Sequence, residues 1–335
     1  MKKWHQIGAG VLAACLLLSG CARPPEAAEK CAPDRVRAVG MAQPSGKTPA
    51  ETPEPEEAGA ADWWTVPVFA HAMGTVDGRT ETNSLDAFLQ SYEAGQRVFE
   101  VDLQLTSDGH LVARHDWEQI SYYNAEQTFA GVMDWETFRQ TPVCFYYTPV
   151  DVEGLVALLQ TYPDVRFVTD SKETDETAVR AQMREIARAI QEAGDPSLWE
   201  RIIVQIYHED MYDWVSQEAP AVNWIFTLYQ IASPDYKAIG AFCREKNIPV
   251  VTLSSERLKG ENVQILHGFG LRVYVHTVNR LRTMLEMSWG ADGFYSDYVT
   301  PGQLEAVLDG TSRMSGFPEQ TEKTGGDTEI SLSKQ

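Results

Sequence analysis

The stretch VFEVDLQLTSDGHLVARHD, residues 98–116, starts as a run of apolar residues that two acids interrupt. Glu100 and Asp102 stand two positions apart, and side chains with that spacing on a β-strand point to the same face. Two acids in an apolar strand are costly unless a strong positive partner compensates them. We therefore interpret the run as a buried strand whose acids belong to a binding site. The alternative is that Arg97 or Arg114 pairs with them at the surface.

The second half of the stretch predicts a hairpin. TSDG, residues 106–109, is a turn signal, and the apolar residues after it predict a short strand antiparallel to the first. This return brings His115 back toward the end of the strand that carries the two acids. Nine aromatic residues follow between positions 117 and 147, and we expect most of them to form a small satellite core under a long loop rather than a lid.

Short apolar runs recur along the rest of the chain between amphipathic helical stretches. Strands that are apolar on both faces and alternate with helices indicate a parallel sheet, and eight such units over about 250 residues indicate a closed barrel. A doubly wound open sheet is the alternative, but the first run lacks a glycine-rich phosphate loop after it. We predict an α/β fold, a (β/α)₈ TIM barrel with a hairpin and loop insertion after strand 2. The predicted strands are 66–70, 98–103, 166–169, 202–206, 224–228, 249–253, 272–276 and 293–295.

Acidic side chains fall near the carboxyl ends of neighbouring predicted strands. Glu100 and Asp102 lie on the second strand, and Asp170 directly follows the third. In barrels of this kind the carboxyl-terminal rim carries the chemistry, and consecutive strands are neighbours there. Three carboxylates in a low-dielectric cleft would repel one another, and a hard divalent cation removes that conflict. The donors are all oxygens, which suits Mg²⁺ or Ca²⁺ better than zinc.

Two histidines and a lysine are predicted on the same rim. His71 follows the first strand, His115 returns with the hairpin, and Lys172 follows the third strand. Two imidazoles beside a bound cation suit cleavage of a phosphodiester, because one can take a proton and the other can give one, while Lys172 stabilises the phosphoryl charge. His208 and His276 lie at the ends of the fourth and seventh predicted strands. For each of them, two interpretations stay open: a place in the pocket wall, or no functional role.

The segments FAHAMG, TNSLDAF, GQRVFEVDLQLTSDGHLVARHD, FVTDSK and VYVHTVNRLRTMLEMSWGADGFYSDYVTP together resemble the glycerophosphodiester phosphodiesterase family. The resemblance extends over nearly all of residues 66–301 and implies the same barrel. It also implies hydrolysis of glycerophosphodiesters to glycerol phosphate and an alcohol, or of related phospholipid-headgroup or teichoic-type phosphodiesters. By this match the catalytic histidines are His71 and His115, the metal ligands are Glu100, Asp102 and Asp170, and the phosphate-side lysine is Lys172.

The chain departs from the family pattern at several positions. The arginine that usually follows the first histidine is missing after His71, and Arg79 and Arg114 are candidates to replace it. The third metal ligand is Asp170 where the family usually has Glu, and the late aromatic position holds His276 instead of Trp. These departures leave two alternatives open. One is a phosphatidylinositol-phospholipase-C-like enzyme that forms a cyclic phosphate, and the other is a non-catalytic surface lipoprotein that binds a phosphorylated ligand.

The amino-terminal segment predicts an anchor outside the cytoplasm. Residues 1–20 have the basic start and short apolar run of a signal peptide, and LSGC at its end resembles the lipobox of bacterial lipoproteins. This resemblance implies a lipid on Cys21 and an extracytoplasmic, membrane-anchored lipoprotein, with a plain secretory signal as the alternative. We predict a Pro/Glu/Ala-rich tether at 21–61, the phosphodiesterase barrel at 62–311 and a disordered polar tail at 312–335.

The charge balance bears on the partners of the chain, and the cysteine spacing bears on disulfides and zinc. The chain carries 48 acidic and 28 basic side chains, for a formal net charge of −20. This balance argues against a nucleic-acid surface, because phosphate backbones are held by clustered Lys and Arg. We expect the partner to be a phosphodiester small molecule or a lipid headgroup. Cys31, Cys144 and Cys243 are odd in number and have no metal-like spacing. We therefore interpret them as structurally incidental rather than as a disulfide framework or a zinc site.

Overall fold

The computed structural model describes residues 62–117, 120–122, 125–127 and 131–310. Eight parallel strands close into a barrel, because β1 (Val68–Ala70) pairs both with the strand that follows it and with the last strand of the chain. This confirms the predicted (β/α)₈ TIM barrel, and each barrel strand begins and ends within two residues of its prediction. The other strands are β2 (Val98–Leu105), β3 (Leu111–Ala113), β4 (Ile120–Tyr122), β5 (Ala125–Gln127), β6 (Arg166–Ser171), β7 (Ile202–Ile206), β8 (Asn223–Thr227), β9 (Val250–Ser254), β10 (Arg272–His276) and β11 (Gly293–Ser296).

Of the eleven strands in the described part of the chain, three belong to the insertion rather than to the barrel wall. β3 runs antiparallel to β2, with Leu103 opposite Ala113, as the hairpin prediction requires. β4 and β5 form a separate two-stranded sheet.

Helices connect the barrel strands and pack outside them. The sequence pattern predicts Asn83 as the N-cap of the first helix, but Ser84 is the N-cap and its hydroxyl accepts a hydrogen bond from the Ala87 N–H. Among the described residues, no helix has the length and apolarity needed to cross a bilayer. The helices are α1 (Leu85–Glu93), α2 (Trp135–Gln140), α3 (Val152–Thr161), α4 (Glu176–Ala193), α5 (Glu209–Glu218), α6 (Tyr236–Glu245), α7 (Gly260–Gly268), α8 (Leu281–Met287) and α9 (Pro301–Leu308).

The barrel interior is apolar toward the amino ends of the strands. Trp63 is buried there, and its indole N–H donates to the side-chain oxygen of Asn223, the first residue of β8. Alternation along each strand then brings the polar residues to the carboxyl ends on the same inward face. The inner cluster consists of Trp63, Phe69, Val98, Val168, Ile203, Ile225, Val250, Tyr274 and Tyr295.

The insertion after β2 contributes to two small apolar clusters that are separate from the main core. Trp117 and Phe138 belong to one cluster, and Tyr147 belongs to another with the buried Cys144. These three aromatics confirm the expected satellite core, whereas Phe145 and Tyr146 are exposed. Trp135 is partly buried against the cluster that holds Trp117 and Phe138. The other three aromatics of the insertion, Tyr122, Tyr123 and Phe129, lie outside the described side chains.

Several predictions fall on residues that the structure leaves undescribed. The signal peptide, Cys21, the tether, Cys31 and the polar tail all lie outside the described residues. Within the described part, Cys144 and Cys243 are buried free thiols.

Candidate metal and catalytic site

Three buried carboxylates meet at the carboxyl end of the barrel. Asp102 on β2 is directly opposite Asp170 on β6, and Glu100 shares the inward face of β2 with Asp102. One carboxylate oxygen from each of the three acids lies within 4.8 Å of the other two. None of the three residues is more than 6% exposed. The structure therefore brings together the three acids that the sequence places on one rim. The surface alternative fails for Arg97, which pairs with Asp164 at 2.6 Å.

The electrostatics of the cluster show the expected conflict between like charges. Burial, followed by the negative charge of Asp102, raises the pKa of Glu100 well above its ordinary value. Burial and Asp102 also raise the pKa of Asp170 to about 6, against the opposing effect of Lys172. Burial opposes the ionisation of Asp102 itself, yet the positive charges of Lys172, His71 and His115 lower its pKa well below the ordinary value. A compact group of buried carboxylate oxygens fits a hard divalent cation, which would relieve this repulsion.

Hydrogen bonds from two backbone segments fix the orientation of the first two acids. Asn83 donates through Nδ2 to Oδ2 of Asp102 at 2.6 Å, and its Oδ1 accepts from the Asp102 N–H at 3.0 Å. The N–H of Ala72 donates to Oε2 of Glu100 at 2.6 Å. Ala72 has a φ of +46°, so the chain turns sharply after His71 and aims this N–H into the site. The third acid is supported from β7 instead.

Asp170 is held by residues that the sequence analysis missed. Gln205 donates from Nε2 to Oδ1 of Asp170 at 2.9 Å, and the hydroxyl of Tyr207 donates to the same oxygen. Tyr295 completes the network by donating to Oε1 of Gln205 at 3.3 Å. The alternation of side chains along β7 could have predicted this contact. Ile203 lies in the inner core, and Gln205 and Tyr207, two and four positions later, share its face.

Lys172 lies among the acids rather than at the surface. Its Nζ is 2.5 Å from Oδ1 of Asp102 and also forms an ion pair with Oδ2 of Asp170. Although burial opposes its charge, these two carboxylates raise the pKa of Lys172 well above its ordinary value. The lysine therefore neutralises part of the charge that the three acids bring together.

His71 forms a histidine–aspartate pair with a residue at the opposite end of the chain. Nδ1 of His71 lies 2.7 Å from Oδ1 of Asp297, the first residue after β11. Asn279 donates to Oδ2 of Asp297 at 2.6 Å and accepts from its N–H at 2.8 Å. Burial opposes the charged imidazole, but the hydrogen bond with Asp297 and the nearby negative charges of Glu100, Asp297 and Asp102 raise the pKa of His71 to about 10. Asp297 was missed, although its place just past the eighth strand marks it by the same rule as Asp170.

His115 is at the same end of β2 but in a different setting. The β3 hairpin returns the chain so that Gln104 donates to the His115 carbonyl oxygen at 3.1 Å. Nδ1 of His115 is 3.0 Å from Oδ2 of Asp116, and its side chain is 44% exposed. Its charge contributes to the low pKa of Asp102, which places it within electrostatic range of the acids. The structure thus brings His71 into the cleft and leaves His115 beside it.

An open cleft lies over Glu100 and Asp170 at this end of the barrel. His276 is in its wall, and Nε2 of His276 is buried without a hydrogen-bond partner among the described residues. Burial, with the positive charge of His71 next in effect, lowers the pKa of His276 to about 4. His208 is not among the described residues that line the cleft. Its Nε2 donates a hydrogen bond to the Thr174 carbonyl oxygen instead. The described residues that line the cleft are His71, Glu100, Asp170, Gln205, Thr227, Tyr229, His276, Thr277 and Tyr295.

The two arginines considered as phosphate ligands are engaged elsewhere. Arg79 donates to the Tyr147 hydroxyl at 2.5 Å. The guanidinium of Arg114 lies 4.7 Å from the ring centre of Trp117, and its Nε donates to the Asp116 carbonyl oxygen at 2.6 Å. Neither arginine is among the described residues of the cleft wall.

Comparison with known proteins gives a consistent pattern of similarity. Residues 74–300 match the model of the glycerophosphoryl diester phosphodiesterase family. A glycerophosphodiester phosphodiesterase from Parabacteroides distasonis is 17% identical, with a TM-score of 0.58 over 74% of this chain and 98% of that one. A phosphodiesterase from Oleispira antarctica, solved with the product sn-glycerol-3-phosphate, is 15% identical, with a TM-score of 0.57 over 72% and 96% of the two chains. The enzyme from Thermotoga maritima is 19% identical, with a TM-score of 0.52 over 73% and 97%.

Proposed function

This chain belongs to the glycerophosphoryl diester phosphodiesterase family and is therefore a phosphodiester hydrolase, and we propose that it cleaves glycerophosphodiesters to glycerol phosphate and an alcohol with the help of a divalent cation. The observation that supports this proposal most strongly is that His71, which is hydrogen-bonded to Asp297, lines one cleft with Glu100 and Asp170. The product complex of the Oleispira antarctica phosphodiesterase supports glycerol phosphate as a product.

The three acids are the proposed ligands of the cation. Glu100, Asp102 and Asp170 present oxygens alone, so we propose Mg²⁺ or Ca²⁺. When bound, the ion supplies charge stabilisation and orientation to the phosphoryl group. Asn83 and Ala72 hold two of the acids in fixed orientations through hydrogen bonds.

The two histidines are the proposed carriers of protons. Hydrolysis requires one proton to leave the attacking water and one to reach the departing alkoxide oxygen. Because Nδ1 of His71 is hydrogen-bonded to Asp297, its Nε2 is the nitrogen left to exchange a proton with the reactants. Asp297 stabilises the imidazolium form of His71, whichever direction the proton moves. His115 is the proposed second carrier, and Lys172 the proposed source of positive charge on the substrate side.

The experiment that tests this function follows phosphorus in the products. The purified protein is incubated with glycerophosphocholine, glycerophosphoethanolamine or glycerophosphoglycerol, with Mg²⁺, Ca²⁺ or EDTA, and ³¹P NMR identifies the products. We expect glycerol phosphate in the presence of an ion and none in EDTA. His71→Ala should reduce the rate by about 100-fold or more. His267→Ala is the control, because it removes an imidazole that pairs with Asp292 beside the amino ends of β10 and β11.

Three outcomes of this experiment would contradict the proposal. A cyclic phosphate as the product would favour the phosphatidylinositol-phospholipase-C-like alternative. Binding of the diesters without turnover under any ion, together with unchanged binding by His71→Ala, would favour the non-catalytic binding protein. Full activity in EDTA would contradict the metal requirement.

For the amino terminus we propose a lipid anchor on Cys21 that holds the protein outside the cytoplasm. The support is the LSGC sequence after a short apolar run with two preceding lysines. Intact mass spectrometry of protein expressed in a bacterium should show diacylglyceryl modification, and Cys21→Ser should release the protein from the membrane fraction. Cys31→Ser is the control and should remain membrane-bound; release by both variants, or by neither, would contradict the anchor.

A further inference from the structure

We propose that Lys172 competes with the divalent cation for Asp102 and Asp170, so that the ion binds only as the ammonium group leaves at least one of these carboxylates. This inference rests on the metal site of the proposed function and adds a role for the lysine before substrate arrives. It makes Lys172 a determinant of metal affinity, and not only a source of positive charge beside the substrate.

The inference starts from which carboxylate oxygens are already engaged. Each carboxylate oxygen accepts about two hydrogen bonds. Oδ1 of Asp170 accepts from both Gln205 and Tyr207, so its lone pairs are committed to the protein. Oδ2 of Asp170 is the remaining oxygen, and Lys172 forms an ion pair with it.

Asp102 is engaged in the same manner. Its Oδ2 accepts a hydrogen bond from Asn83 at 2.6 Å, which leaves Oδ1 as the oxygen without a fixed amide partner. Lys172 Nζ lies 2.5 Å from that Oδ1. On both aspartates, therefore, the oxygen that the supporting residues leave available is the oxygen that the lysine contacts.

Glu100 differs from the two aspartates. Its Oε2 accepts a hydrogen bond from the Ala72 N–H, and its only link with Lys172 is an electrostatic one at longer range. An ion that takes oxygen ligands from all three acids can reach Glu100 without disturbing the lysine. It cannot take Asp102 Oδ1 and Asp170 Oδ2 at metal-ligand distances while an ammonium group remains on both, because two cations would then repel at close range in a poorly solvated site.

The competition has a consequence for the stability of the site. Lys172 compensates the buried acids when no ion does, so the loop and strand ends around them keep a defined arrangement. Removing the lysine charge should leave the carboxylates uncompensated and make them bind a divalent ion more tightly. The same change should weaken the fold in chelator and increase the stabilisation that an added ion gives.

Isothermal titration calorimetry with Mn²⁺ and with Mg²⁺ tests the proposal on the full folded chain. Lys172→Met keeps the aliphatic length and removes the charge, and we expect the dissociation constant to fall by about 10-fold or more. Lys237→Met is the control, since Lys237 is exposed and the substitution changes the net charge by the same amount. The control should bind the ion within about twofold of the parent.

The outcomes separate this inference from the proposed function. If the parent binds Mn²⁺ and a folded Lys172→Met binds it equally or more weakly, the lysine does not compete and the inference is wrong, while the hydrolase proposal stands. If the parent binds no divalent ion, the metal site itself is contradicted. If Lys172→Met does not fold in chelator, ¹⁵Nζ-lysine NMR of the parent decides. The Lys172 ammonium signal should shift on addition of Mg²⁺, and an unchanged signal at saturating Mg²⁺ would overturn the proposal.

Discussion

Replacing Asp297 by Asn tests the histidine–aspartate pair that the sequence analysis missed. The substitution preserves the size of the side chain and removes its charge. Oδ1 of Asp297 lies 2.7 Å from Nδ1 of His71, and Asn279 holds the other carboxylate oxygen at 2.6 Å. The variant therefore keeps the side-chain size but loses the negative charge that stabilises the imidazolium of His71, and an amide NH2 replaces one of the two oxygens that accept hydrogen bonds.

The magnitude follows from the type of hydrogen bond that is lost. A hydrogen bond to a charged group contributes about 1.5–3 kcal/mol, which corresponds to a decrease of about 10- to 150-fold in kcat/KM if it is made in the transition state. We expect the loss mainly in kcat, because Asp297 is not among the described residues that line the cleft. In EDTA, ¹H–¹⁵N NMR should show the pKa of His71 falling from about 10 in the parent.

The assay compares Asp297→Asn with Asp292→Asn on glycerophosphocholine under saturating Mg²⁺. Asp292 also pairs with a histidine, His267, at 2.8 Å, so the control removes an equivalent charge away from the cleft. The control should retain at least about half of the parent kcat/KM, since surface charges act weakly over distance. If Asp297→Asn is folded and as active as that control, Asp297 does not support catalysis through His71.

Four further substitutions or conditions have defined expectations. Trp63→Ala should lower the free energy of unfolding by about 3–5 kcal/mol, because it empties a buried site at the amino end of the barrel; urea denaturation measures it, and a loss below about 1 kcal/mol would argue against that packing. Asn83→Ala should weaken Mn²⁺ binding in calorimetry by about 10-fold or more, since it leaves a carboxylate oxygen and an N–H of Asp102, a proposed metal ligand, unpaired; equal affinity would contradict this. Gly74→Ala should lower the melting temperature by several degrees, because Gly74 has a φ of +92° and a new Cβ would overlap the Ser91 hydroxyl; an unchanged melting temperature would be inconsistent with this backbone. In EDTA, the protonated His71 should stabilise the fold fully below pH 6.5, its ordinary pKa, and this stabilisation should be lost as the pH rises through about 10. Urea denaturation should therefore show that His71→Gln lowers the free energy of unfolding more at pH 6 than at pH 10.5, and a pH-independent difference would contradict this.

The barrel and the acidic cluster were predictable because both depend on local pattern. The barrel strands are short, largely apolar runs, and most of them are followed at the carboxyl end by a polar residue. Glu100 and Asp102 share a face through strand geometry alone, and Asp170 then meets them because β6 is the neighbour of β2 in the barrel. Position along a strand was therefore enough to bring three acids together.

Contacts that depend on barrel closure or on loop direction were not predictable in the same manner. The place of Asp297 just past the eighth strand indicates the rim, but its contact with His71, 226 residues away, depends on the pairing of β1 with β11. Asn83 resembles a helix cap in the sequence, but a φ of +47° turns its amide toward Asp102. Arg79 and Arg114 were considered as phosphate ligands on charge alone, and their aromatic and carbonyl partners in the insertion take them away from the cleft.

Anomalous diffraction from crystals grown with Mn²⁺ tests the metal site most directly. A single peak should lie between Glu100, Asp102 and Asp170, with carboxylate oxygens at about 2.0–2.6 Å from the ion. Crystals of active protein that show no peak there, or show the ion bound only at other side chains, would contradict a cation held by these three acids.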